Sequence, residues 1–383
     1  MSMVARRAET SDANPLDTLL TMVSAGAARF GQEQQVDAET VEAMKATGVY
    51  RALVPARFGG DEQSPSEFLR LIETIATRDG SAGWVASFGV SHMYLASLPE
   101  ATLAQVYADG PDVVFAGTIF PPHPAVRVEG GYRVSGRWPF GSGSPGASLI
   151  GVGIRTEDPT TSGLPRMAVI PADRVRIEPN WDVIGLRGTG SHDLVVEDVF
   201  VPEDWTFERG APSTIDLPAY RYPSMALAAQ VLAVVGLGVA RGALDLMAAM
   251  AGRRGSITGA PLMADRANVQ IALAKGEATL RGARAFFYEL TDEVFATVRA
   301  GEKPERRQVA LLRLAATQAA RAGADVTRLM FEQAGTAGIF NSHPLSRLLQ
   351  DALVVNQHAF LNEATWQSGG KVLLGLDAPA GYP

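Results

Sequence analysis

Apolar residues three and four positions apart recur over residues 15–30 and 37–48, a spacing that predicts two amphipathic helices. VPARFGG (54–60) is a turn-rich break. Ser64-Pro-Ser-Glu then opens a third helix, with Pro65 at its first position and Glu67 placed to close a capping box; this helix runs to Asp79-Gly80. Another helix is expected over 81–98 and a short one after Pro99. From Val113 to Trp205 the pattern changes to short apolar or alternating runs between Gly and Pro turns: VVFAGTI, AVRVEGGYRVSGRW, SLIGVGI, MAVI and HDLVVEDVFV. Glu129-Gly130-Gly131-Tyr132 between two of these runs is a hairpin signal. Beyond Ala211-Pro212 helical spacing returns in four long segments, 218–252, 261–300, 304–335 and 344–370, lengths that suit an up-and-down four-helix bundle. The fold expected is α+β and multidomain: an N-terminal helical domain (1–112), a central antiparallel β-barrel or sandwich domain (113–212) and a C-terminal bundle (213–383).

Two features of the bundle invite other readings. The run from Met225 to Gly252 is apolar enough to raise the question of a membrane span. Gln230, Arg241 and Asp245 interrupt it, and its alanines and glycines suit close helix packing, so a buried helix is expected. Gly236, Gly238 and Gly242 hint at a dinucleotide-binding turn. That motif needs a preceding strand and a later acidic residue, and the surroundings here are helical. Gly238 and Gly242 fall on one helix face, which predicts close packing against a neighbour.

Composition narrows the chemistry. The chain has 383 residues, 46% hydrophobic and 20% charged, enough to bury a large core. Its net charge is −7, with no basic run, so neither nucleic acid nor an anionic membrane is an expected partner. There is no Cys, which excludes disulfides, iron–sulfur clusters and a Cys nucleophile. The five His are not at helical metal-ligand spacing, and no metal site is expected. The opening stretch MSMVARRAETSDANPLD has no apolar signal-peptide core, so a cytoplasmic protein is expected.

The α–β–α order carries specific strings. GGYRVSGRWPFGSG (130–143), WDVIGLRGTGSHDLVVEDVFVPED (181–204), VPARFGG and the Gly-x-Pro-Leu of TGAPL (258–262) occur in order and together resemble the acyl-CoA dehydrogenase superfamily over nearly the whole chain. The resemblance implies a homotetramer with a flavin between the β domain and the bundle, contacting a neighbouring subunit. Dehydrogenases of this family remove a proton with a Glu. Pro344, Arg347, Asp351 and Ala352 match the string that precedes it, but the Glu slot falls on Ala359, and the alternative slot lies near Ala228. Glu363, one helical turn beyond Ala359, is the displaced base that an acyl-CoA dehydrogenase-like flavin desaturase would need.

LVVNQHAF instead places His358 in that region, and the chain resembles the oxygenase components of two-component flavin-dependent monooxygenases. These take reduced FMN or FAD from a separate reductase and use O2 to oxygenate an aromatic, polycyclic or amine substrate through a flavin C4a-hydroperoxide. The resemblance implies His358, His92 and Ser142 as catalytic groups. It implies flavin contacts from Phe115, Gly117, Thr118, Trp138 and Phe140, and from Arg253 or Arg254 at the phosphate. Trp84, Phe88, Tyr94 and Phe340 are the candidate substrate pocket. A hydroperoxide survives only where water is excluded and a few donors are placed, and His can donate or accept near neutral pH. Of the other histidines, His123 is expected in a loop, His192 in solvent, and His343 in a loop or at the pocket rim. Two departures stand out: SPGASLIG follows Gly143 where many such oxygenases carry His-Ala-x-Trp, and Glu332-Gln333-Ala334-Gly335-Thr336 replaces the family's Gln-x-x-Gly-Gly.

Overall fold

A computed structural model describes residues 14–157, 160–252 and 261–378. The N-terminal region comprises α1 (Pro15–Glu33), α2 (Ala38–Ala46), α3 (Pro65–Ala76), α4 (Gly80–Ala86), α5 (His92–Leu95) and α6 (Glu100–Val106). The capping box at α3 forms: Glu67 N–H donates to the Ser64 hydroxyl oxygen and Ser64 N–H donates to the Glu67 carboxylate. The helix expected over 81–98 is subdivided, since α4 tightens into a 3₁₀ stretch at Ser87–Ser91 before α5.

Among the described residues seven strands form one sheet: β1 (Phe115–Val128), β2 (Gly131–Trp138), β3 (Leu149–Arg155), β4 (Arg166–Pro171), β5 (Arg176–Glu178), β6 (Asp193–Pro202) and β7 (Thr206–Glu208), in the order β5-β6-β2-β1-β3-β4-β7. The hairpin at Glu129-Gly130 is present, with Val128 opposite Gly131 and Gly130 at φ 78°. The expectation of a wholly antiparallel sheet is corrected. The first half of β1 runs parallel to β3, and its second half pairs antiparallel with β2. Between Thr118 and His123 the register shifts, where Pro121 and Pro122 have no N–H for the ladder. His123 is therefore a strand residue rather than a loop residue, with its ring edge-on to Trp138.

The C-terminal part comprises α7 (Pro218–Arg221), α8 (Ser224–Ala251), α9 (Ala267–Arg299), α10 (Arg306–Gln333), α11 (Pro344–Val355) and α12 (Glu363–Leu373). The single helix expected over 344–370 is broken. Residues 356–362 form a turn and a 3₁₀ segment, Ala359–Leu361, so His358 sits at a break rather than on a helix.

α8 is the axle of the molecule. It is long and apolar enough to span a membrane, but 72% of that window is buried in protein. A Cβ on Gly238 would meet the Glu73 carbonyl oxygen at 2.4 Å, and one on Gly242 would meet that of Thr77 at 2.3 Å, so these glycines let α3 lie directly on the α8 backbone. Gln230, the polar interruption, is hydrogen-bonded at both ends of its amide inside the core: it accepts from the Tyr222 hydroxyl at 3.0 Å and donates to Thr291 at 2.7 Å. Through α8 the N-terminal helices and the bundle share one continuous core, from Leu19 to Leu361. A second core fills the sheet, and a third lies between the sheet and α5–α6.

One polar junction crosses these layers. Asp351 on α11 accepts the Leu186 N–H at 2.6 Å, from the loop between β5 and β6. It stands beside Asp79, the N-cap of α4, and Arg347 pairs with Asp79 at 3.2 Å. The approach is tight: a Cβ on Gly185 would meet the Gln350 carbonyl oxygen at 2.2 Å. Burial, and then the facing charge of Asp79, push the Asp351 carboxyl up to about 8. Burial also raises that of Asp79, against the pull of Arg347.

Two outcomes follow. Asp351→Ala removes the acceptor of a buried N–H and a member of a buried charged cluster, and should cost about 3–5 kcal/mol in urea unfolding. The raised pKa means that the folded chain holds a proton the unfolded chain releases above about pH 4, so this group's contribution falls as pH rises toward 8. Asp351→Asn keeps the acceptor without the titration. Its stability relative to the native chain should therefore rise between pH 5 and 8, and parallel curves would refute the protonated junction.

Candidate active site

The continuous right-handed backbone from α4 into α5 places Trp84, Phe88 and His92 at successive four-residue steps. Its two aromatic residues reach different sides of one region. The Trp84 ring lies 6.0 Å from that of His358, and Phe88 packs against Gly143, where a Cβ would stand 3.3 Å from its ring. Gly143 adjoins Ser142. The helix thus links the break after α11 to the turn after β2.

His358 is held by the break itself. It is the N-cap of the 3₁₀ turn, and its Nδ1 accepts from the Phe360 N–H at 3.2 Å. The neutral ring therefore carries its proton on Nε2 and offers a donor. Burial pushes its pKa down to about 4. Asn356, two residues earlier, has a buried Oδ1 with no protein partner. Phe360 lies against the imidazole at 5.0 Å.

Ser142 belongs to a chain of hydroxyls that sequence reasoning did not find. Its Oγ is 2.6 Å from Ser191 Oγ, which is 2.6 Å from Thr189 Oγ1, which is 2.9 Å from the Leu186 carbonyl oxygen. The carbonyl can only accept, so Thr189 donates to it, Ser191 donates to Thr189, and Ser142 donates to Ser191. Ser142 is left with lone pairs and no free proton. It is an acceptor by construction.

His192, expected in solvent, is buried. Its Nδ1 accepts from the backbone N–H groups of Asn180 and Trp181 at 3.1 and 3.0 Å. It fixes the loop that carries Thr189 and Ser191. Trp181 closes the same loop by donating to Leu186. His343 is the N-cap of α11 and accepts from Leu345 N–H.

The other predicted residues divide. Phe140 is 61% exposed, held at φ 62° and edge-on to Trp181, a free aromatic surface. Gly117 and Thr118 are half-buried where the β1 register shifts, and the Thr118 hydroxyl donates to the Phe120 carbonyl. Phe115 and Trp138 are buried in cores. Phe115 packs with Leu149 and Met167, and Trp138 is wholly enclosed with its indole N–H on the Gly153 carbonyl. His92 is also enclosed. Its Nδ1 is 2.9 Å from the Tyr107 hydroxyl, and the ring lies near the carbonyls of Tyr50 and Val113. The structure does not bring it into contact with His358 or Ser142. Phe340 is 63% exposed, and Tyr94 lines a separate cavity. Arg253, Arg254 and most of TGAPL lie outside the described residues.

No carboxylate occupies either dehydrogenase base position. Ala228 is buried in α8, Ala359 is exposed, and Glu363 is a surface residue paired with Arg321 at 3.2 Å. The chemistry of the groups present fits reduced flavin. Ser142 offers an acceptor, which suits the N5–H that only the reduced ring carries, and His358 offers a donor. The exposed Phe140 adds an apolar surface.

Residues 230–363 match the family described as acyl-CoA dehydrogenase, C-terminal domain. The chain is 51% identical, over 92% of its length and 91% of the relative's, to the indole-3-acetate monooxygenase of Pseudomonas putida. It is 28% identical to the oxygenase component of an FADH2-dependent resorcinol hydroxylase from Rhizobium sp. strain MTP-10005, covering 92% of this chain and 91% of that one. Its structure is similar to the crystal structure of 3-HSA hydroxylase from Rhodococcus sp. RHA1, with a TM-score of 0.87 and 27% identity, covering 95% of this chain and 97% of that chain.

Burial holds the pKa of both His358 and His92 down to about 4, so each ring should stay neutral in NMR titration from pH 8 to 5. For His92 the unfolded chain takes up a proton near pH 6.5 that the folded chain refuses. Its contribution is present above that pH and lost as pH falls toward 4, by up to about 3 kcal/mol at about 1.4 kcal/mol per unit. His92→Gln should flatten the acid limb of urea stability over that range. A limb parallel to that of the native chain would mean that the buried ring does protonate.

Proposed function

The chain belongs to the flavin-dependent monooxygenases that carry the acyl-CoA dehydrogenase fold, and we propose that it is the one acting on an indole carboxylate, indole-3-acetate or a close analogue. It is the oxygenase component of a two-component system: an aromatic small molecule is its substrate, O2 its oxidant, and a flavin reductase supplies the reduced flavin. The observation that carries the choice of substrate is 51% identity across nearly the whole chain to an enzyme named for indole-3-acetate.

Bound reduced flavin supplies the electrons that activate oxygen. The chain's own groups hold and shield that chemistry. Ser142, stripped of its free proton by Ser191 and Thr189, accepts from the reduced ring and favours it over the oxidised one. His358 would offer its Nε2–H as a hydrogen-bond donor to oxygen at the site. Being neutral near pH 7, it acts as a fixed donor rather than a source of protons. Trp84, Phe88 and Phe140 supply apolar walls that keep water away. His92, enclosed beside Tyr107, positions α5 instead of meeting the substrate. The flavin phosphate falls to Arg253 or Arg254. Exposed Ile339, Phe340, Leu373, Leu374 and Leu376 support assembly into a homotetramer. Reliance on a diffusing supply of reduced flavin suits the cytoplasm.

The test is turnover under ¹⁸O2 with a flavin reductase, NADH, FMN or FAD, and indole-3-acetate. One labelled oxygen in the product is expected, and none with either flavin would end the reading. His358→Ala should lower the ratio of product to hydrogen peroxide by about 10²-fold, the scale of losing one placed hydrogen-bond donor. Ser191→Ala should weaken reduced flavin binding more than oxidised flavin binding. Equal weakening would refute the polarised hydroxyl chain.

A further inference from the structure

A second cavity, of about 90 Å³, lies between α5, the segment leaving β7 and the start of α8. Its wall is aromatic: Tyr94, Phe207, Tyr220 and Tyr222 line it, with Met93. Among the described residues it contains one charged side chain, Arg209, whose guanidinium carbon stands 3.5 Å from the centroid of the Tyr94 ring. The guanidinium lies over the face of that ring, and Tyr94 is also its hydrogen-bond partner.

Arg209 has no counter-ion among the described residues; Tyr94 is its electrostatic partner. The adjacent Glu208 is turned away and accepts from the Ser162 N–H and the Thr161 hydroxyl. Three hydroxyls of the wall are engaged elsewhere. Tyr220 donates to the Leu53 carbonyl at 2.7 Å, Tyr222 to Gln230 at 3.0 Å, and Ser97 to the Ala211 carbonyl at 3.2 Å. The wall also includes Ser224, where α8 begins with no side-chain cap over its first N–H groups. An arginine that lines a cavity with no carboxylate opposite it among the described residues offers a charge-assisted site to an anion.

The cavity and the region of His358 share α8. Met93 and Tyr94 directly follow His92, and Ser224 lies one helical turn, about 6 Å, before Ala228. Farther along, α8 packs on α11 and on the 3₁₀ turn that His358 caps. We propose that this cavity is the carboxylate end of the substrate site, where Arg209, stacked on Tyr94, holds the carboxylate of an aryl or heteroaryl acetate and selects it over neutral analogues. The aromatic wall takes the ring as it runs along α8 toward His358. The inference rests on the oxygenase reading above and adds the residue that decides which aromatic is accepted.

Binding is measured by isothermal titration, with FMN present, so that it is read without turnover. The ligands are indole-3-acetate and indole-3-acetamide, equal in shape and different in charge. The native chain should prefer the acid. Arg209→Gln should weaken the acid about 10- to 100-fold, the range of a charge-assisted hydrogen bond, and the amide by less than about threefold. Arg209→Lys, which keeps the charge but loses the fork, should retain part of the preference, and this separates recognition from misfolding. Equal losses for acid and amide, an unchanged acid affinity in Arg209→Gln, or no preference in the native chain would each overturn the assignment. The ¹⁸O2 experiment tests the oxygenase reading independently, so product formation with an unaltered acid preference in Arg209→Gln would sink this proposal alone.

Discussion

Everything in the site hangs on the buried meeting of Asp79, Arg347 and Asp351. Asp79 caps the helix that carries Trp84 and Phe88. Asp351 lies on the helix whose broken end carries His358. Through Leu186, Asp351 also anchors the loop that carries Thr189 and Ser191. Three elements remote in sequence are thereby placed by one set of charge-assisted contacts. Two carboxyls beside one guanidinium in a dry interior cannot both stay charged cheaply, so the junction retains a proton. Replacement by apolar residues would pack the helices as well. It would not fix the Leu186 N–H, and with it the direction of the hydroxyl chain.

That direction matters because flavin changes from hydrogen-bond donor to acceptor at N5 when it is oxidised. A lone serine would serve either state by rotating its hydroxyl. Ser142 cannot rotate freely, because Ser191, Thr189 and the Leu186 carbonyl commit its proton. An enzyme that receives its flavin reduced gains from such a bias. One that reduces its own bound flavin, as a dehydrogenase does, gains less and needs a carboxylate base. Ala228 and Ala359 stand where such a base would be, and Glu363 is bound to Arg321 at the surface. Hydroxyl chain and missing base point the same way.

Much of this was legible in the sequence. Helical spacing, the Ser64–Glu67 capping box and the Glu129-Gly130 hairpin are local signals, and each element formed where its own residues specify it. Gly238 and Gly242 read correctly as packing glycines, because two glycines on one helix face admit a close neighbour. What stayed hidden depends on contacts between distant residues. The parallel pairing of β1 with β3 has no local signature. His192 looked exposed because it follows a Gly-rich turn, yet its partners are the N–H groups of Asn180 and Trp181 in a returning loop. Phe115 and Trp138 lie on strands whose two faces look alike in sequence, and both point into cores. The break before His358 was missed because LVVNQHAF has no Gly or Pro to announce it.

The break is the last step that ties fold to chemistry. On an unbroken helix, a histidine would direct both nitrogens outward, and which one bore the proton would depend on the ligand. As an N-cap, His358 spends Nδ1 on the Phe360 N–H, so the proton must sit on Nε2 whether or not anything is bound. Its surroundings add Trp84 and Phe360 but, among the described residues, no carboxylate to stabilise a charged ring, and burial lowers its pKa. A general acid near pH 7 needs a proton it can lose and regain. A ring held neutral by both its cap and its burial offers a donor of fixed direction instead. Oxygen transfer has a use for such a donor, whereas proton abstraction from an acyl chain has none, and this agrees with the chain's likeness to the oxygenases.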